Sequence, residues 1–325
     1  MANARLKVAV IDDYQDAFRK LPSFARLSNH EVAIFNDTEK DAAKLAFRLK
    51  DADVVVLTQQ RSPFPRELIQ RLPNLKFISQ TGRNVYHIDV AACAECGIAV
   101  SAGGSTDPAG ATAELAWALI HASARNIPAE VQRMKEGGWQ RSLGTGLSGR
   151  MLGVYAYGRV GSIVARVGHA LGMRVLCWGR ASSTELARQA GYEVAASRDA
   201  FFASADVVTL HLPLNEATCG IVTAQDLSLM KPTALLVNTS RAALIPPNAL
   251  VEALKLGRPG YAAVDVYEEE PMIDRSHPLL AMPNVICTPH LGYVEQRVYE
   301  GIYATAVEQI IAFAAGSPIN LATPA

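Results

Sequence analysis

The chain carries no excess charge of either sign: 31 basic residues stand against 31 acidic ones along 325 positions. Without a net field to attract polyanions, neither nucleic acid nor an anionic membrane surface is an expected partner. Cysteine is scarce, five residues scattered along the chain. Cys93 and Cys96 form a C-x-x-C, but they lie in a short helical stretch that ends at Gly97, and no second pair stands at zinc-site spacing. No metal is expected. No apolar run is long enough to span a bilayer, and no signal or transit pattern precedes the first strand, so the cytoplasm is the expected compartment. Internal repeats, heptads and low-complexity segments are also missing.

What remains is an ordinary globular composition, 50% hydrophobic and 19% charged, in a chain long enough for two domains. Short apolar runs at 8–11, 32–35, 54–57, 76–79 and 98–100 alternate with helically spaced segments such as 41–49 and 65–72. That alternation predicts a parallel sheet in a flavodoxin-like arrangement. Residues 105–124 form a long helix, apolar nearly all round, expected to be buried and plausible between two domains. Beyond a glycine-rich loop (137–149) the alternation resumes, with strands at 207–210, 234–237, 262–266 and 285–287. A last helix with Val294, Val298, Ile302, Ala306 and Ile310 on one face is expected to cover one of the sheets.

The chain is organised around residues 151–180. Val154 and Tyr155 read as a buried strand, Ala156-Tyr157-Gly158-Arg159-Val160-Gly161 as a tight turn entering a helix, and residues 174–178 as a second strand. The apolar face of that helix reads as Ile163, Val164, Val167 and Leu171. Such a βαβ unit presents a helix N-terminus to a pyrophosphate. Gly158 lets the backbone approach phosphate and Gly161 lets helix and strand pack closely, although Ala156 replaces the first glycine of the fingerprint. NAD enzymes place an acid about 20 residues past the turn, on the ribose hydroxyl. Here that position reads Gly179-Arg180-Ala-Ser182-Ser183, so NADP(H) is favoured over NAD(H), with Arg180 and the serines on a 2′-phosphate. The other reading stacks Arg180 on adenine and leaves NAD in place.

The turn at 156–161, His211-Leu212-Pro213-Leu with Thr218, Asn238-Thr239-Ser-Arg241, and Asp265-Val-Tyr-Glu-Glu-Glu270-Pro followed by Thr288-Pro-His290 together resemble the D-2-hydroxyacid dehydrogenases. The resemblance runs over the chain nearly end to end. It implies an α/β protein with two doubly wound parallel-sheet domains and a cleft between them. A Rossmann cofactor domain (103–291) would be inserted in a flavodoxin-like substrate domain (1–102 and 292–325). It also implies a hydride transferred between NAD(P)(H) and C2 of a small 2-keto or 2-hydroxy acid of glyoxylate, hydroxypyruvate or phosphoglycerate type, by a homodimer.

Three protein functions are needed: a group for the carboxylate, one to polarise the carbonyl, and an acid/base. Arg241 ends a strand, and its planar fork suits a carboxylate and a carbonyl oxygen. The resemblance makes His290 the acid/base. Residue types alone leave Glu268, Glu269 and Glu270 open as its partner, and the family spacing selects Glu270. By the same resemblance Gly82, Arg83 and Asn84 hold the substrate carboxylate, Asp265 lies near the nicotinamide, and His211, Leu212, Pro213, Thr218 and Thr239 flank the cofactor. Arg83 either contacts an acidic substituent or faces solvent. Trp139 lines the cleft, meets a second subunit or packs internally. Two rivals differ in kind. A cofactor-sensing binding protein of this fold would not need Arg241, Glu270 and His290, and a methyltransferase would want an acid where Gly179 stands.

Overall fold

The computed structural model describes residues 5–104, 106–273 and 275–323. The chain forms two compact units, one of residues 1–107 with 296–325 and one of 108–295. Each is built on a parallel sheet.

In the first unit, strands β1 (Lys7–Ile11), β2 (Glu31–Ile34), β3 (Val54–Leu57), β4 (Phe77–Gln80) and β5 (Ala99–Ala102) lie in the order β2-β1-β3-β4-β5. All four residues of β3 and of β4 are buried, as expected of strands covered on both faces. Helix Ala42–Leu49 starts where Asp41 accepts from the amides of Ala43 and Lys44, an ordinary side-chain cap. The closing helix, Gln296–Ala314, returns the chain to this unit, and Phe313 stacks on Phe77 of β4 with ring centres 4.5 Å apart. Gly103, Gly104 and Thr106, expected in the cofactor domain, are tied to the first unit. Gly103 donates to the Gly82 carbonyl (3.1 Å), Arg83 donates to Gly104 O, and a Cβ on Gly301 would lie 1.9 Å from Thr106 Oγ1.

The second unit carries β6 (Met151–Tyr155), β7 (Arg174–Trp178), β8 (Glu193–Val194), β9 (Val207–Leu210), β10 (Leu235–Asn238), β11 (Tyr261–Val264) and β12 (Val285–Cys287) in the order β12-β11-β10-β9-β6-β7-β8. The order reverses between β6 and β9, the switch point at which open α/β sheets bind ligands. Helix Ala109–Ala124 belongs to this unit's own core. Ala113, Ala116, Trp117, Leu119 and Ile120 pack with Leu152, Val154 and Val164, while Glu114, Ala118 and His121 face out. It is therefore one-sided rather than buried all round, and the expected start at Ser105 lies outside the described residues.

The helix after the glycine turn, Arg159–Ala170, corrects the expected face. Its buried residues are Gly161, Val164, Ala165 and Gly168, whereas Leu171 is 39% exposed. Close seating on β6 demands small residues: a Cβ on Gly168 would come within 2.4 Å of Leu152, and one on Gly161 within 2.2 Å of the Ala156 carbonyl oxygen. A hydrophobicity pattern cannot register a contact made by missing side chains.

Candidate active site

Along one edge of the second unit, the carboxyl ends of β6, β9, β10, β11 and β12 deliver the turn at Ala156, then His211, Thr239 with Arg241, Asp265 with Glu270, and His290. His290 and Glu270 are brought together. His290 Nδ1 lies 2.6 Å from Glu270 Oε2, and both side chains are about one-third exposed, at 30% and 32%. Burial pushes the Glu270 carboxyl up. The hydrogen bond and charge of His290, the Tyr267 N–H (2.9 Å to Oε1) and the Arg241 guanidinium outweigh that and hold it below its ordinary value. Arg241 therefore belongs to the same electrostatic cluster. Glu268, one of the alternative partners, instead pairs with His277 at 3.1 Å.

The backbone around the pair is held by other side chains. His290 adopts φ 52°, a left-handed conformation uncommon for a residue with a side chain. Its N–H donates to the Thr288 carbonyl (3.0 Å), which also accepts from the buried Tyr267 hydroxyl (2.9 Å). Asp265, fully buried, accepts from Thr288 Oγ1 (2.6 Å), Leu291 N (2.7 Å) and Gly292 N (2.9 Å). Both of its oxygens are thus committed to the segment that carries His290. Arg241 is presented by a side-chain turn in which Asn238 accepts from Ser240 N and donates to the Arg241 carbonyl, each at 3.0 Å.

A family model described as the NAD binding domain of the D-isomer specific 2-hydroxyacid dehydrogenases matches residues 117–292, more than half the chain. The protein belongs to the D-2-hydroxyacid dehydrogenase family. Its relatives include a glyoxylate reductase from Aeropyrum pernix, 36% identical over 78% of each chain. A D-3-phosphoglycerate dehydrogenase from Methanocaldococcus jannaschii is 35% identical over 94% of this chain and 57% of that longer one. The crystal structure of a phosphoglycerate oxidoreductase from Vibrio cholerae O395 superposes with a TM-score of 0.92 at 45% identity, over 96% of this chain and all of that one. Membership makes this dehydrogenase an oxidoreductase of 2-hydroxy acids with a nicotinamide cofactor.

The residues present fit that cofactor. A Cβ on Gly158 would meet nothing within 4 Å, and its φ of −112° suits any residue, so nothing inside the chain calls for glycine there. The helix that follows has no side-chain cap, so amides such as those of Val160 and Gly161 stay available to an anion. Thr239, at the end of β10, buries a hydroxyl with no partner among the described residues. Ala156 stands at φ 74°, where glycine is at ease and an L-residue costs about 1–2 kcal/mol.

Several expected cofactor contacts are already engaged. The Tyr157 N–H donates to Ser183 Oγ (2.7 Å), which staples the turn to the helix after β7. The Thr218 hydroxyl donates to the Pro213 carbonyl (2.6 Å) inside its own loop. Burial pushes the His211 imidazole down to about 3, so it is neutral at physiological pH, with Nε2 3.0 Å from Thr209 Oγ1. Leu212 is buried and its carbonyl accepts from Ser240. Arg159, Gly158, Arg180, Ser182 and Pro213 are exposed, and Gly179 is half-buried.

In the first unit, Gly82, Arg83 and Asn84 follow β4. Arg83 is exposed, and its Nε and Nη2 donate to the Gly104 carbonyl at 3.3 and 3.2 Å. Trp139 is 72% exposed, which overturns internal packing as its role. Cys93 is buried and Cys96 exposed, so the pair does not share one environment. Among the described residues, no group of three or more His, Cys, Asp and Glu side chains is placed to hold a metal ion, and no helix is long and apolar enough to cross a membrane.

The site reading gave no holding role to Asn238, Tyr267 and Thr288, and it offered Ser183 to a 2′-phosphate, whereas Ser183 accepts from the Tyr157 N–H. Ser183, Tyr267 and Thr288 make contacts across sequence, whereas Asn238 holds its own turn, and Asn238, Tyr267 and Thr288 all lie inside the quoted motifs.

Proposed function

We propose that this dehydrogenase acts as a reductase of small 2-keto acids such as glyoxylate or hydroxypyruvate, with NADP(H) favoured over NAD(H) and phosphoglycerate as the alternative substrate. The observation that carries the reading is the 2.6 Å contact of His290 Nδ1 with Glu270, within the field of Arg241. Glu270 accepts at Nδ1 and so leaves Nε2 as the end of the ring that exchanges a proton with substrate. Bound nicotinamide supplies the hydride to C2. Arg241 holds the carboxylate and draws charge toward the carbonyl oxygen, and the His290 imidazolium delivers a proton to that oxygen. Neutral His290 takes the proton back in oxidation. Gly82, Arg83 and Asn84 serve as further holders of the carboxylate, through backbone N–H groups.

The cofactor preference rests on Gly179 and exposed Arg180 at the end of β7, where an NAD protein carries an acid. The next acid along, Glu185, is engaged by Arg188 and Gln189. Arg180→Ala is expected to weaken NADPH at least about tenfold and NADH little, since a phosphate contact is charge-assisted. Equal losses for both cofactors would favour the adenine-stacking reading.

The homodimer rests on the segment from 127 to 143. Helix Ile127–Lys135 buries none of its residues, and Val131, Met134, Trp139 and Leu143 are exposed by 48%, 66%, 72% and 98%. Several large apolar side chains exposed on one short segment support an interaction surface, which we assign to a second copy. Light scattering of Leu143→Asp should report a monomer.

The direct test follows oxidation of NADPH and of NADH with glyoxylate, hydroxypyruvate, pyruvate and phosphohydroxypyruvate. His290→Ala should lower turnover by about 10²–10⁴. Reduced cofactor that binds without any turnover would point instead to a sensor.

A further inference from the structure

Tyr267 is bonded toward both halves of the His290–Glu270 pair. It follows β11, and its ring is buried in the second unit's core, in one cluster with Leu250 and Leu279. From that fixed place its N–H donates to Glu270 Oε1 (2.9 Å). Its hydroxyl donates to the Thr288 carbonyl (2.9 Å), the acceptor that also takes the His290 N–H (3.0 Å). One residue therefore reaches the carboxylate at one end and the segment that carries the histidine at the other.

Packing does not call for the hydroxyl. Phenylalanine would fill the same apolar space, without a phenol that has to find an acceptor once it is buried. Nor do the nearby carbonyls call for it. The Thr288 carbonyl keeps the His290 N–H, and the Val264 carbonyl, 3.4 Å from the phenol, takes the Thr288 N–H at 2.9 Å. Each would keep a donor without Tyr267. The hydroxyl is thus an additional tether on a segment whose histidine stands at φ 52°, a conformation that persists only where its surroundings fix it.

We infer that Tyr267 is a positioning residue for the acid/base: its N–H sets Glu270 and its hydroxyl sets the segment at His290, so that the two side chains meet at 2.6 Å. The inference rests on the reading above, in which His290 exchanges a proton with substrate. Asp265 fixes the same segment through Thr288 Oγ1, Leu291 N and Gly292 N. Tyr267 adds the link from that segment to the carboxylate. Because no carbonyl loses its last donor, Tyr267→Phe should fold and should remove only this link.

The test joins kinetics to hydrogen exchange. In Tyr267→Phe reductive kcat should fall about fivefold, the worth of one hydrogen bond, with KM for the keto acid and NADPH affinity nearly unchanged. In a Glu270→Gln background the same substitution should cost less than about twofold, because it acts through a contact already weakened. Cys287→Ala trims a thiol beside the same hydroxyl but keeps the tether, and should leave kcat within about twofold. Hydrogen exchange reads the geometry without turnover. The bonded amides of His290, Leu291 and Gly292 should exchange faster in Tyr267→Phe, and those of the neighbouring strands should not. Unchanged exchange at 290–292 overturns the positioning role. So does a loss of kcat that is equal in both backgrounds or matched by Cys287→Ala. Faster exchange at 290–292 with unchanged turnover leaves the tether standing and overturns instead the reading of His290 as the acid/base.

Discussion

Substituting alanine at the two glycines of the turn separates the needs of the fold from those of the cofactor. At Gly158 the added methyl meets nothing within 4 Å, and φ −112° with ψ −153° is extended backbone open to any residue. Gly158→Ala should therefore leave the fold intact, or stabilise it by about 0.4–1 kcal/mol through a stiffer unfolded chain. For a unit of this size that amounts to a melting temperature unchanged or raised by about 1–4 °C. If that open space takes the pyrophosphate, the methyl intrudes on it and NADPH affinity should fall at least about tenfold, or 1.4 kcal/mol. At Gly161 the position reverses. A methyl 2.2 Å from the Ala156 carbonyl oxygen must push helix and strand apart by about an ångström to reach ordinary contact, an overpacking cost of about 1–3 kcal/mol. Gly161→Ala should lose both stability and cofactor. Calorimetry and a fluorescence titration with NADPH measure the two quantities separately. A destabilised Gly158→Ala protein, or one that binds NADPH as the wild type does, would refute the assignment of that space to the cofactor.

Three further outcomes follow from other parts of the site. Glu270→Gln keeps the shape but removes the charge at His290 Nδ1. Losing a charge-assisted bond of about 1.5–3 kcal/mol should lower reductive kcat/KM about 10–150-fold and leave NADPH affinity nearly unchanged, as steady-state kinetics and titration will show. Asp265→Asn sets an amide NH₂ against protein donors and should cost about 1–3 kcal/mol of stability. If its role is to anchor residues 288–292, kcat falls more than cofactor affinity; if it contacts nicotinamide, affinity falls first. Burial pushes His211 down to about 3 and His87 to about 4. Below 6.5 the unfolded chain binds protons that the folded one refuses, so stability drops as pH falls from 6.5 toward 4. The slope is at most about 1.4 kcal/mol per pH unit for each histidine. Urea titrations at pH 5 and 7 with His87→Phe should show a shallower slope in the variant.

Strands buried on both faces were legible because they read as continuous apolar runs, which is why 54–57 and 207–210 coincide with β3 and β9. The two-residue β8 is too short to leave a pattern. The helix after the turn was found, but its buried face was misread, since Gly161, Ala165 and Gly168 seat it by being small. Hydropathy rewards large apolar residues and so favoured Leu171, which faces out.

The site divides along the same line. Arg241, Glu270 and His290 were singled out by motifs that resemble the family, since residue type alone left Glu268 and Glu269 open beside Glu270. Asn238 holds the Arg241 turn locally, but other holding contacts lie 20 to 30 positions apart in sequence. Thr288 to Asp265 and Tyr157 N–H to Ser183 Oγ are of this kind, and a serine or threonine in a linear string does not announce its partner. Asp265 shows how the two groups become confused. The resemblance implied a place near the nicotinamide for it, yet both of its oxygens are bonded to the segment bearing His290. A carboxylate so engaged fixes the backbone on either side of His290, which stands in a left-handed conformation that the local sequence alone would not select. That is why the split between kcat and cofactor affinity in Asp265→Asn tests the geometry itself, where the family resemblance had implied a different role.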